Sequence, residues 1–162
     1  MEIKAQPLHE RNIADVLRIQ KTAYPDNYLE DADSFLAKIV ASPSTSFGAW
    51  QGDAMVGYLI ALARSTDDGL GFNILDVPSV PINEARVMYI HDVAVHPDAR
   101  GLGVADLLLE NLQHVVSDTS ISEWRLVSVQ GSRGFWEKRG FEVGSDPLPN
   151  GYGPEAVLML RA

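Results

Sequence analysis

The stretch "IHDVAVHPDARGLGVADLLLENL", Ile90 to Leu112, decides how the chain folds. Its first residues read as an apolar strand, His96 and Pro97 end that strand, and two glycines flanking Leu102 lead straight into a leucine-rich helix. No Ser, Thr or Asn stands at the helix start, so the first-turn amides have no side-chain cap. Glycines at 101 and 103 permit backbone angles closed to other residues and let a ligand approach the main chain. The amides of Leu102, Gly103, Val104 and Ala105 are then expected to converge at the positive end of the helix dipole, with Arg100 adding charge beside them, as a seat for a pyrophosphate. The Lys and Ser/Thr of a P-loop do not follow Gly103, and the spacing is not that of a dinucleotide fingerprint. A glycine-containing turn without a ligand is the other reading of these residues taken alone.

Outward from this stretch, the pattern predicts a strand over Glu2–Ala5 and a helix over Glu10–Ala23 with Ile13, Val16, Leu17, Ile19 and Gln20 on one face. Pro25 pushes Tyr24 out of helical geometry and ends that helix. A second helix, Asp31–Val40, places Phe35, Leu36, Ile39 and Val40 at helical spacing. Strands Phe47–Gln51 and Ala54–Arg64 flank a "GD" hairpin turn. Ser65–Ala85 is a long connection, of a length that is usually functional or mobile. The remaining elements are a strand at Arg86–Val95, a helix at Leu102–Val116, a strand at Glu123–Val129, a short helix at Ser132–Arg139, a strand opened by Gly140 and Phe141, and a strand at Ala156–Arg161. This order predicts one α/β domain over residues 1–162, with a mixed, mostly antiparallel central sheet flanked by helices.

Composition narrows the function. With 162 residues and 46% apolar content there is a core to bury. Cysteine is absent, which excludes disulfides, thiolate clusters and a cysteine nucleophile. The start "MEIKAQPLHER" has no apolar signal core and no run approaches a membrane span, so a cytoplasmic protein is expected. Thirteen basic against 22 acidic residues give a net charge of −9, which disfavours nucleic acid and anionic membranes as partners and favours, weakly, a cationic acceptor. Four scattered histidines suggest no metal site.

The run "VAVHPDARGLGVADLLL" resembles the acetyl-CoA-binding motif of the GNAT N-acetyltransferases, whose core is Q/R-x-x-G-x-G/A; here Arg100, Gly103 and Ala105 hold the fixed positions. Two elements later "LVSVQGSRGFWEKRGF", Leu126 to Phe141, is similar to the apolar strand and FYxxxGF helix of the same family. The resemblance implies an acyl-CoA N-acyltransferase fold with a V-shaped splay between the strands carrying Val95 and Leu126. It implies that Arg100 to Ala105 hold the pyrophosphate, that the main chain of Val93, Ala94 and Val95 pairs with pantetheine, and that Gln130, Phe135 and Trp136 flank the cofactor. It also implies direct attack by a primary amine of a small molecule or peptide on acetyl-CoA, the acetyl oxygen being polarised by the Val95 amide. Members of the family are often dimers, so a homodimer is compatible with it.

Two positions depart from the family. Trp136 replaces the tyrosine that protonates the leaving thiolate, and an indole N–H cannot do so; it is expected to pack on the pantetheine arm. Asp106 stands at the helix start and is expected to point away from a bound pyrophosphate. The candidates for acid–base work are His91, Asp92 and Tyr152. Strand alternation sends His91 and Asp92 to opposite faces, so only one is expected to line the cleft; a hydrogen-bonded structural role is the other reading of either, and covering the sheet edge is the other reading of Tyr152. Lys138 and Arg139 read as solvated, contact of one of them with the ADP phosphate being the other reading; Asp67, Asp68 and Glu84 also read as solvated, with attraction of an amine as the other reading. Because of Trp136, an acyl-CoA-binding sensor without catalysis is the alternative to an enzyme.

Overall fold

The computed structural model describes residues 2–65, 77, 79–129, 131–145, 148, 152 and 155–162. Strands β1 (Ile3–Pro7), β2 (Phe47–Gln51), β3 (Ala54–Arg64), β4 (Val87–Val95), β5 (Glu123–Ser128), β6 (Glu142–Val143) and β7 (Val157–Arg161) form one seven-stranded sheet in the order β1-β2-β3-β4-β5-β7-β6. Only the β4–β5 pair is parallel. Helices α1 (Ile13–Ala23) and α2 (Ala32–Ala41) cover one face, and α3 (Val104–Val116) with the short α4 (Arg133–Glu137) covers the other. The sheet is mixed, mostly antiparallel and flanked by helices, as the order of elements in the sequence predicts.

The β2–β3 hairpin has the bounds that the sequence predicts, and Gly52 takes the positive φ of 63° that its turn requires. Pro25 leaves Tyr24 extended, with ψ 148°, and α1 stops there. In α2 the buried face is Ser34, Phe35, Lys38 and Ile39, while Val40 is 59% exposed. Val40, although it shares the helical spacing of Phe35, Leu36 and Ile39, lies outside the core: the helix is turned toward Lys38, whose ammonium meets the buried Glu30 carboxylate.

Strand β4 organises the rest. Its first half, Val87–Ile90, pairs on one side with β3 and on the other with Glu123–Leu126 of β5. Beyond Ile90 only β3 continues beside it: the β4–β5 ladder ends at Ile90–Leu126, while β5 stays paired to β7 on its other edge as far as Ser128. The two strands therefore splay, and a cleft of about 710 Å³ opens in the middle of the sheet.

Helix α3 reaches the cleft at its N-terminus, where Val104 packs over Gly57 of β3. A Cβ on Gly57 would stand 2.8 Å from a Val104 methyl and 3.0 Å from the Ala94 carbonyl. Gly57→Val should accordingly cost about 1–3 kcal/mol in urea unfolding and displace the start of α3. An unchanged midpoint would show that the helix does not seat on that glycine.

Candidate active site

The turn before α3 is built as its glycines suggest. Gly101 and Gly103 have φ of 81° and 77°, and a Cβ on either would meet nothing within 4 Å, so the space above the turn is open. The first α-helical bond is Leu107 N–H to the Gly103 carbonyl, which leaves the amides of Val104, Ala105 and Asp106 without intrahelical acceptors. Gly103 as the N-cap supplies no side-chain acceptor either. Leu102 departs from expectation: its N–H returns to the Ala99 carbonyl at 3.4 Å and its side chain is 56% exposed, so it does not take part in the concavity. The tight turn of Pro97–Ala99 that precedes it consumes that amide. Arg100 lines the cleft mouth. Asp106 is exposed and ion-paired to Arg139 at 2.7 Å. Arg139 is thus engaged rather than simply solvated, with its guanidinium also 3.5 Å over the Phe135 ring.

From this seat the cleft runs between the splayed strands. His96 N–H bonds the Val56 carbonyl at 2.8 Å, so by ladder alternation Ala94 and Asp92 turn their main-chain groups to β3, while Val93 and Val95 turn theirs to the gap. Of the three residues expected to offer main chain to a ligand, Ala94 does not. Phe135 and Trp136 line the opposite side. Trp136 is at the same time buried, edge to face with both Phe135 and Phe141, and belongs to the core. Gln130 lies outside the described residues, as do Asp67 and Asp68.

At the far end, β4 carries one residue more than its partner. Ile60 pairs with Asp92 and Ala61 with Ile90, so His91 has no partner in the ladder. This bulge resets the alternation, and the expectation that His91 and Asp92 lie on opposite faces is corrected: both line the cleft. They do different things there. Asp92 accepts from the Tyr24 hydroxyl on Oδ1 and from the Tyr58 hydroxyl on Oδ2, each at 2.6 Å, and Tyr24 also reaches the Val93 carbonyl at 3.0 Å. Burial raises the Asp92 carboxyl above the usual range, against the lowering effect of His91 and the two hydroxyls.

His91 is held between two groups. Its Nε2 meets Glu30 Oε1 in a short contact, and its Nδ1 lies 3.3 Å from the Tyr152 hydroxyl. Glu30 is itself fixed on all sides. The Gln20 side chain clamps its main chain with two bonds of 2.8 and 3.0 Å, while Ser34 and Lys38 each reach Oε2 at 2.7 Å. Burial alone would raise this carboxyl, but the adjacent His91 and then Lys38 overcome that and hold it down at about 2. Glu30 is therefore a carboxylate that accepts only, and Nε2 of His91 must carry the proton. Burial also pushes the Tyr152 hydroxyl well above 10, with neighbouring Tyr89 adding to it, so Tyr152 keeps its proton; with Nε2 donating to Glu30, Nδ1 of the neutral ring is the acceptor that faces it.

The structure thus brings His91, Asp92 and Tyr152 to one end of the cleft and Gly101, Gly103, Val104 and Ala105 to the other. Sequence reasoning missed Glu30, Lys38, Gln20 and Tyr24. Among the described residues no group of three or more His, Asp or Glu side chains is arranged to hold a metal ion, and no helix is long and apolar enough to cross a membrane.

Comparison with known proteins agrees with this architecture. A family model described as the acetyltransferase (GNAT) family matches residues 13–141. Among solved structures, a GphF GNAT-like decarboxylase in complex with isobutyryl-CoA superposes with a TM-score of 0.82 at 16% identity, over 98% of each chain. The Arabidopsis thaliana Naa50 in complex with a CoA-peptide bisubstrate analogue gives 0.73 at 15% identity, over 100% of this chain and 99% of that one. The PaiA N-acetyltransferase of Thermoplasma acidophilum in complex with coenzyme A gives 0.71 at 17%, over 99% of each. No curated protein sequence matches the chain.

The depressed carboxyl of Glu30 contributes stability that is complete above about 4.5 and is lost as the pH falls toward about 2, an interval worth about 3 kcal/mol. The difference in unfolding free energy between the protein and its Glu30→Gln variant should shrink by about that amount between about pH 5 and about pH 2. A pH-independent difference would mean that His91 and Lys38 do not hold the carboxylate.

Proposed function

Because the chain belongs to the acetyltransferase (GNAT) family, we propose that it is a cytoplasmic N-acetyltransferase that moves acetyl from acetyl-CoA to a primary amine of a small molecule or peptide. The observation that carries this reading is the continuity of one cleft from the open amides at Gly103–Ala105 to the His91–Tyr152 pair. The cradle fits a coenzyme A: the two glycines leave room for a pyrophosphate, the first-turn amides of α3 are free to donate to it, and Arg100 adds charge. Val93 and Val95 offer main-chain groups to an extended pantetheine in the manner of an added strand.

When bound, acetyl-CoA supplies an activated thioester. The Val95 amide, turned into the gap, polarises the acetyl oxygen. The Tyr152 hydroxyl takes the amine's proton while passing its own to Nδ1 of His91, as the new C–N bond forms. Tyr152 gives its proton to the sulfur as the C–S bond breaks, and recovers it from Nδ1 of His91. The enzyme ends as it began, with acetylated amine and free thiol as products. Asp92, with both oxygens engaged by tyrosines, orients Tyr24 at the acceptor end rather than serving as the base.

Trp136 packs edge to face with Phe135 and Phe141, which gives it a structural part in this reading. The tryptophan is a packing residue, and Tyr152 takes over the acid's part from another element. The GphF relative was described with isobutyryl-CoA, so the acyl panel for the assay includes it beside acetyl-CoA.

Calorimetric titration should show tight binding of acetyl-CoA and weak binding of a CoA lacking the pyrophosphate. Gly103→Glu, which puts a carboxylate into the seat, should abolish it. Tyr152→Phe should bind acetyl-CoA normally and lower kcat by about 100-fold in a thiol-release assay with amine acceptors. Binding unchanged by Gly103→Glu would remove the seat assignment, and binding without acceptor-dependent thiol release would leave the sensor reading standing.

A further inference from the structure

We infer that Glu30 is a positioning residue of the site: it holds His91 with its proton on Nε2 and its lone pair on Nδ1, aimed at Tyr152, while Lys38 keeps Glu30 charged whether or not His91 carries a second proton. The inference rests on the proposed transfer reaction for its purpose, and on the geometry for its substance.

Three features of the geometry carry it. First, the carboxylate is too well held for a chance contact. Its main chain is clamped by Gln20, a buried amide on the otherwise apolar face of α1, and its side chain is fixed by Ser34, Lys38 and His91. Second, the charges are arranged asymmetrically. One oxygen of Glu30 belongs to Lys38 and Ser34, the other to His91, so the carboxylate need not give up its cation when the imidazole changes charge. Third, both partners are shielded, the side chains of His91 and Glu30 being 1% and 3% exposed, so water does not compete for the bond.

The groups that face His91 are Glu30 from the segment before α2, Tyr152 from the segment before β7, and its neighbour Asp92 on β4, with Lys38 reaching it only through Glu30. When His91 accepts a proton on Nδ1, the imidazolium lies against the Glu30 carboxylate, neutralised only in part by Lys38, with the Asp92 carboxyl beside it on β4. Glu30 itself neither gains nor loses a proton in the cycle. Its role is to select the tautomer and to stabilise the cation that forms.

The test compares the protein with two double variants that leave no buried charge unpaired. In Glu30→Leu with Lys38→Met, Nε2 of His91 loses its acceptor; in Glu30→Gln with Lys38→Met, the amide oxygen still accepts but the charge is gone. Nitrogen-15 NMR of the histidine-labelled protein reads the tautomer without any need for turnover. The native protein should show His91 protonated on Nε2, and the leucine variant should lose that single form. Its kcat should drop by about 100-fold with the KM for acetyl-CoA unchanged. The glutamine variant should keep the tautomer, recover part of kcat, and shift the acid limb of its pH profile to lower pH, since the imidazolium is no longer stabilised by a full charge. A native His91 protonated on Nδ1 overturns the inference, as does a leucine variant with unaltered tautomer and kcat. A native Nε2 tautomer with no transfer to any amine would instead remove the transferase reading and leave the Glu30–His91 pairing intact.

Discussion

Between Ile60 and Ala61 the ladder of β3 and β4 gains one residue on the β4 side, and the chemistry of the cleft depends on that single insertion. Without it, His91 and Asp92 would alternate across the sheet, and one of them would be buried under α3 among the aliphatic side chains of Met88 and Ile90. With it, Tyr89, His91, Asp92 and Ala94 all belong to the face covered by α1 and α2, while Met88, Ile90, Val93 and Val95 pack toward α3. The bulge also stands where β5 departs. A ladder that is already interrupted on one side is the natural place for the sheet to open on the other, so the proton-handling groups and the cleft they serve arise at the same point of the chain.

Much of the fold is legible in the sequence because it follows from local pattern. The hairpin comes from alternation around a two-residue turn, α3 from a stripe of leucines, and the end of α1 from Pro25. The turn at Gly101 and Gly103 is legible for a different reason: no other residue adopts those backbone angles at so little cost. What the pattern does not reveal is where an extra residue enters a ladder or which polar side chains meet across it. Signals are nevertheless present. Two adjacent polar residues, His91 and Asp92, interrupt an otherwise apolar strand, which alternation alone does not accommodate. Gln20 and Lys38 occupy core-facing positions of amphipathic helices, and a buried amide and a buried ammonium each imply a partner. Glu30 sits in an irregular segment where no periodicity applies, so its role emerges only once α1, α2 and β4 are brought together.

The electrostatic design of the site contrasts with that of the surface. The chain carries an excess of nine acidic charges, yet the proposed anion seat consists of main-chain amides and Arg100 rather than a basic patch. At the other end two buried carboxylates lie on neighbouring elements in opposite states of accommodation. Glu30 is met by the Lys38 ammonium, the Ser34 hydroxyl and His91 and is held ionised, whereas Asp92 is met by tyrosine hydroxyls and the histidine and is pushed upward by burial. Environments that drive two carboxyls apart in this way assign them different roles, one as a fixed charge and the other as a hydrogen-bond hub.

The splay has a thermodynamic side as well. Along Val93 and Val95 the sheet has an edge in its interior, with peptide groups that in an ordinary sheet would be bonded to a neighbouring strand. Any extended ligand that fills the gap completes the ladder from outside, and its binding free energy then adds to the cohesion between the two halves of the sheet. At a hundredfold excess over its dissociation constant such a ligand contributes about 2.7 kcal/mol to the folded state. Cellular supply of that ligand would then govern how often the halves part, and with it the protein's lifetime against proteases.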